Sequence, residues 1–156
     1  MTGADEVARS YSERVIVLAP TARDGAVTRK LLSESRVEVV IAQGWTQAQD
    51  LVRDGAGALM ITDMSLADPG FGGLLALLEH QPPWSNLPVL ALCRHGHKAP
   101  PRELQLRNLT MLDRPTSARA MQSAVKTALR GRRWQYQIRD QIESLPSAPR
   151  PLRPAD

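Results

Sequence analysis

The chain has a single cysteine, Cys93, so no disulfide forms within it and a reducing compartment is expected. Aromatic residues make up only 4% of the sequence, so the core must be built from Ala, Val, Leu and Ile. No apolar run is long enough to span a bilayer. Residues 1–12 are polar and mixed in charge, unlike a secretion signal. A soluble, cytoplasmic protein with no membrane partner is expected. Glycine is missing where a phosphate-cradling loop would need it. Ala19-Pro20-Thr21-Ala22-Arg23 follows the first apolar run with no glycine before Gly25, which counts against nucleotide binding.

What is present suits one domain with a real core: 156 residues, 42% of them apolar. The twelve prolines fall in loops and in the tail, not inside the apolar runs. The net charge of +4 is uneven. Residues 1–113 carry 11 basic and 13 acidic groups, whereas residues 114–156 carry 9 and 3. The basic bias permits an acidic or nucleic-acid partner, but a solvated helix face explains it more simply.

Five short apolar runs punctuate the chain, at residues 14–19, 38–42, 58–61, 88–93 and 109–113. They read as strands, the first buried and the third, at 58–61, buried on both faces. Helical spacing follows each of the first four. Asp24 is expected to cap the first helix, Thr46 to open the second through a capping box with Gln49, and Gly55 to close it. An apolar helix covers residues 74–78, and a weak one starts at Pro100-Pro101. The alternation predicts an α/β fold: a flavodoxin-like, doubly wound, five-stranded parallel sheet of order 2-1-3-4-5.

A last helix begins at Thr116 or Ser117 and is long. Met121, Val125, Ala128 and Leu129 form a stripe that can pack on the sheet. Beyond Gly131, Trp134, Ile138, Ile142 and Leu145 continue at spacings of four, four and three, a heptad-like seam. The favoured partner for the overhang is a second copy of the same helix, with packing back on its own domain as the alternative. The expected organisation is a flexible N-terminus over 1–13, a domain over 14–130, a helical extension over 131–145 and a disordered Pro-rich tail over 146–156.

The third run ends at Asp63 and leads into the loop Asp68-Pro69-Gly70. In an open parallel sheet, chemistry collects beyond the carboxyl ends of the strands, which is where Asp63 should sit. Cys93, His95 and His97 alternate past the fourth run, with His80 the one further candidate ligand of their type. A structural zinc site needs four ligands, and loop residues are the simpler reading.

The order of these features resembles the receiver domain of two-component response regulators over roughly residues 14–130. More narrowly, it looks like the degenerate receivers at the N-terminus of some sensor histidine kinases. Residues 58–67 match the strand that ends in the phosphoacceptor Asp, here Asp63, or Thr62 if the alignment slips by one. Residues 88–93 match the strand ending in a switch hydroxyl, here Cys93. Met111-Leu112-Asp113-Arg114-Pro115 matches the strand ending in Lys-Pro, and the resemblance implies a cis bond before Pro115. The family holds Mg²⁺ with an acidic pair after the first strand, and Ala19 and Pro20 stand in those places without a side-chain oxygen. Cys93 is a weak donor, and Arg114 keeps a positive charge without the compact ammonium. Neither Asp24 nor Asp68 is expected to replace a ligand.

The first expectation is therefore a non-catalytic, receiver-like signalling module that needs no cofactor. It would work in a phosphorelay system by protein–protein contact and homodimerise through its last helix. The expected partner is a histidine kinase or other two-component protein, or an output domain of the same chain. The alternatives are a true receiver phosphorylated at Asp63 with Mg²⁺, and a flavodoxin-like ligand binder or enzyme using the crevice beside Cys93. Nucleic-acid binding through residues 130–134 is the weakest reading.

Overall fold

The computed structural model describes residues 3, 11–94, 96 and 106–146. His95, His97, the expected weak helix at Pro100-Pro101 and the tail beyond residue 146 lie outside the described residues, as does most of the N-terminal segment.

The elements run β1 (Val15–Leu18), α1 (Ala22–Ser33), β2 (Val39–Ala42), α2 (Trp45–Asp54), β3 (Ala58–Thr62), α3 (Asp63–Leu66), α4 (Phe71–Glu79), β4 (Val89–Arg94), β5 (Leu109–Arg114) and α5 (Ala118–Ser144). The strands form one sheet of order β2-β1-β3-β4-β5, with every neighbouring pair parallel. That is the α/β fold and order 2-1-3-4-5 expected from the sequence.

The central strands β1, β3 and β4 are continuous apolar runs because both faces of the sheet are covered there, whereas the edge strands β2 and β5 are only partly buried. On one face Ile16, Leu59, Ile61, Val89, Ala91 and Cys93 pack with Ala48 of α2 and with Phe71, Leu74 and Leu75 of α4. On the other, Val15, Val17, Met60, Leu90 and Leu92 pack with Leu32 of α1 and with Met121, Val125 and Leu129 of α5. Leu129 comes so close to the start of β3 that a Cβ on Gly57 would lie 2.4 Å from its Cδ2 and 2.9 Å from the Ser12 carbonyl oxygen. Only glycine allows that approach.

Two helix starts differ from the sequence reading. Thr21, not Asp24, is the N-cap of α1: its hydroxyl accepts from the Asp24 N–H at 3.1 Å and donates to the Asp24 carboxylate at 2.8 Å. Both residues share one reciprocal cap, and the β-branched residue takes the extended position. Helix α2 starts two residues earlier than a Thr46 cap allows, with Gly44 as N-cap and no side-chain cap bond. Gln47 supplies the support instead, its side chain accepting from the Gln43 N–H at 2.6 Å. Gly55 does close α2, at φ 130°, with its N–H shared between the Leu51 and Val52 carbonyls.

Buried Arg14 reinforces that end of α2, donating to Gly55 O and Leu51 O, both at 2.9 Å. Ser117 is the N-cap of α5, donated to by Ala120 N–H, and the helix then runs unbroken for 27 residues. At 1.5 Å per residue that is about 40 Å, longer than the sheet it covers.

Candidate functional site

The site lies at the carboxyl ends of β3, β4 and β5. Strand β3 ends at Thr62, which caps the single turn α3 by accepting from Ser65 N–H at 3.4 Å. Asp63 is therefore the first residue of a helical turn, not of a loop, and it is 5% exposed. In the parallel register of β4 and β5, Arg94 lies directly beside Arg114. Two like charges side by side on neighbouring strands repel unless an acid is placed between them. Asp63 is that acid.

Its carboxylate is saturated. Oδ1 accepts from Arg114 Nη2 at 2.7 Å and from the Met64 N–H at 3.0 Å. Oδ2 accepts from the Arg94 N–H and from Arg94 Nε, both at 3.1 Å. A carboxylate offers about four acceptor sites, and each of these oxygens carries two donors. Burial pushes the carboxyl pKa up. The Arg94 N–H, the Arg114 charge, the Arg94 side chain and the Met64 N–H push it down, and together they win, so Asp63 sits below the ordinary carboxylate value. The Arg94 side chain is 81% exposed and screened by water, so its pairing is the weaker one; Arg114 is 36% exposed. Arg114 Nε is buried without a hydrogen-bond partner.

Other residues singled out in the sequence fall around this centre or away from it. Ala19 and Pro20 border a cavity of about 170 Å³ that Thr62 and Arg114 also line. Cys93 is buried with the α2 and α4 core and is not among the hydrogen-bond partners of Asp63. The Arg114–Pro115 bond is cis. Asp24 serves the α1 cap, Asp68 accepts from Gly70 N–H at 2.8 Å, and His80 Nδ1 lies 2.7 Å from Ala76 O. Among the described residues no three His, Cys, Asp or Glu side chains gather as a metal site.

Arg94 was not singled out from the sequence. The available signal was two strands ending alike, Cys93-Arg94 and Asp113-Arg114, each placing a cation at the end of the sheet where the lone acid lies.

The second structural feature is the distal half of α5, where two stripes on opposite sides behave differently. Arg132, 6% exposed, donates to Ala56 O at 3.0 Å, to Ser85 Oγ at 2.8 Å, to Gln135 Oε1 at 2.6 Å and to Tyr136 Oη at 3.3 Å. Gln135 exchanges two hydrogen bonds with the Asn86 backbone. Trp84 and Tyr136 have ring centroids 5.3 Å apart, and the guanidinium groups of Arg132 and Arg139 lie over both rings. This stripe packs back on its own domain. The other stripe does not: Trp134 is 65% exposed, Ile138 44%, Ile142 54% and Leu145 69%.

The sequence matches no family model and no curated protein. Solved structures do match. The receiver domain of a response regulator from Clostridium thermocellum has 15% identity and a TM-score of 0.61, covering 78% of this chain and 97% of that one. The signal receiver domain of a LuxO repressor protein from Vibrio parahaemolyticus has 13% identity and a TM-score of 0.65, covering 85% and 98%.

This chain has the receiver fold. NtrX from Brucella abortus gives 17% identity and a TM-score of 0.65 over 82% of this chain, but this chain spans only 28% of NtrX.

The Mg²⁺ that receiver domains use does not fit the residues found on this receiver fold. The ion demands octahedral oxygen ligands, commonly one or two carboxylates and several waters. Ala19 and Pro20 offer no side-chain oxygen, and both oxygens of Asp63 are already occupied by N–H donors. No helix is long and apolar enough to cross a membrane among the described residues.

Proposed function

We propose that this chain is a phosphorylation-independent receiver module of two-component signalling, cytoplasmic and non-catalytic. It would act by docking a protein partner and by dimerising through α5. The observation that carries this reading is the saturated carboxylate of Asp63. A phosphoacceptor must present a free oxygen to the incoming phosphorus and a metal to neutralise the charge that develops. Here both oxygens are engaged, and the charge of Asp63 is already matched by two guanidinium groups.

The natural partner for a receiver fold is a histidine kinase, another two-component protein, or an output domain of the same chain beyond α5. The exposed seam of Trp134, Ile138, Ile142 and Leu145 supports a homodimer, since the opposite stripe of the helix is committed to the domain. Nucleic-acid binding by residues 130–134 gains little support. Arg132 is buried, and Arg133 Nε is paired with Glu13 at 2.8 Å, so two of the cations in that run are already engaged.

Incubating the full chain with acetyl phosphate and Mg²⁺ and measuring the intact mass tests the reading. No phosphoryl adduct is expected. A stoichiometric adduct that vanishes in Asp63→Asn would establish a working receiver instead.

A further inference from the structure

The cavity at the carboxyl end of the sheet has no role in the reading above. It lies between α1 and the strand ends, has a volume of about 170 Å³ and opens to solvent. Its walls are mostly apolar: Val17, Ala19, Val27, Met60 and Leu92. A cavity of about 150 Å³ lined by aliphatic side chains is large enough to take benzene. One wall is different. Arg114 lines the cavity and gives only Nη2 to Asp63. Its Nε is buried with no hydrogen-bond partner, and Nη1 makes no hydrogen bond among the described residues. Nε is sealed from solvent, so the Arg114 nitrogen that a ligand in the open cavity can meet is Nη1, which has no acceptor among the described residues. Arg23 at the rim adds a second positive charge, partly offset by Asp24.

We infer that this cavity binds a small organic monoanion: a carboxylate on a compact apolar body, of the size of benzoate or a short-chain fatty acid. The apolar body fills the space beside Met60 and Leu92, and the carboxylate accepts from Nη1 of Arg114, which Asp63 does not use. The site exists because Ala19 and Pro20 leave apolar space at the end of β1, where acidic side chains would repel such a ligand. Size excludes nucleotides and other large ligands, since pockets for those enclose at least about 300 Å³. The inference concerns ligand binding alone and stands whether or not α5 dimerises.

The test is an ¹⁵N–¹H NMR titration of the full chain with benzoate, with benzamide, and with inorganic phosphate. Benzoate is expected to give saturable shifts confined to residues around Ala19, Met60, Leu92 and Arg114. Binding should be at least about tenfold tighter than for benzamide, which has the same body without the charge. Phosphate, which has the charge without the body, should bind no better than benzamide. Ala19→Leu, which fills the cavity, and Arg114→Gln, which removes the charge, should each abolish the benzoate shifts while the remaining spectrum stays dispersed. Should either variant lose its dispersed spectrum, the other and the three-ligand ranking still decide the question. Absence of saturable shifts, equal binding of benzamide, equal binding of phosphate, or full binding by Ala19→Leu would each overturn the inference.

Discussion

Asp63→Asn is expected to destabilise the fold by about 1–3 kcal/mol at neutral pH, the range for losing a buried charged hydrogen-bond acceptor after allowing for the solvent around Arg94. The sign is the informative part. A carboxylate held in a cluster of acids is destabilising, and neutralising it relieves repulsion. Asp63 has the opposite surroundings. It separates Arg94 from Arg114 across the β4–β5 register and accepts the N–H groups of Met64 and Arg94. Removing its charge leaves two guanidinium groups facing each other with no opposite charge between them.

The pH dependence follows. The folded-state pKa of Asp63 is lowered, so its charge contributes stability that is fully present above the unfolded-state pKa of about 3.9 and is lost as the pH falls through the lower folded-state value. Urea unfolding of wild type and Asp63→Asn should therefore show the full gap at neutral pH, and a gap that closes below about pH 4. A variant more stable than wild type at neutral pH would mean that the carboxylate is not compensated as described.

The second large effect is expected at the far end of the molecule. Ile138→Glu combined with Ile142→Glu should convert a dimer to a monomer. Each isoleucine buried in an interface contributes about 1.5–3 kcal/mol, and the pair counts twice in a symmetric dimer. Dissociation should be eased by about a thousandfold or more. The domain itself should be barely affected, within about 0.5 kcal/mol, because both side chains are exposed in the monomer. Sedimentation equilibrium with a parallel urea melt separates the two effects. A wild-type chain that stays monomeric at high concentration would remove the dimer from the account. A double variant that unfolds would show that the seam packs on the domain after all.

The sheet was legible in the sequence because burial on both faces leaves little choice of residue. Val15–Leu18 and Ala58–Thr62 are buried at every position, so their apolar runs stand out against the polar helices. The distal seam was legible for a related reason: four large apolar residues at helical spacing with no sheet beneath them.

Details that depend on one side chain meeting another were not legible. Thr21 and Asp24 both belong to the cap of α1, and composition alone does not say which one takes the extended position. Asp63 was visible as a lone acid after an apolar strand, and Arg114 as a cation on another strand end. Arg94 was not, since its partner lies 31 residues away and only the β3–β4 pairing brings them together. Arg132 read as part of a solvated basic run. It is buried because Ala56, Ser85 and Tyr136 converge on it, an arrangement that exists only once α5 lies beside the 82–88 segment.

A structural Asp63 stays charged at neutral pH and has no vacancy for a metal. Carbon-detected NMR titration of its side-chain carboxyl, with and without Mg²⁺, measures this directly. The midpoint should fall below the ordinary 3.8, and the carboxyl signal should not move when Mg²⁺ is added. A midpoint above that value, or a saturable Mg²⁺-dependent shift at Asp63, would contradict the account.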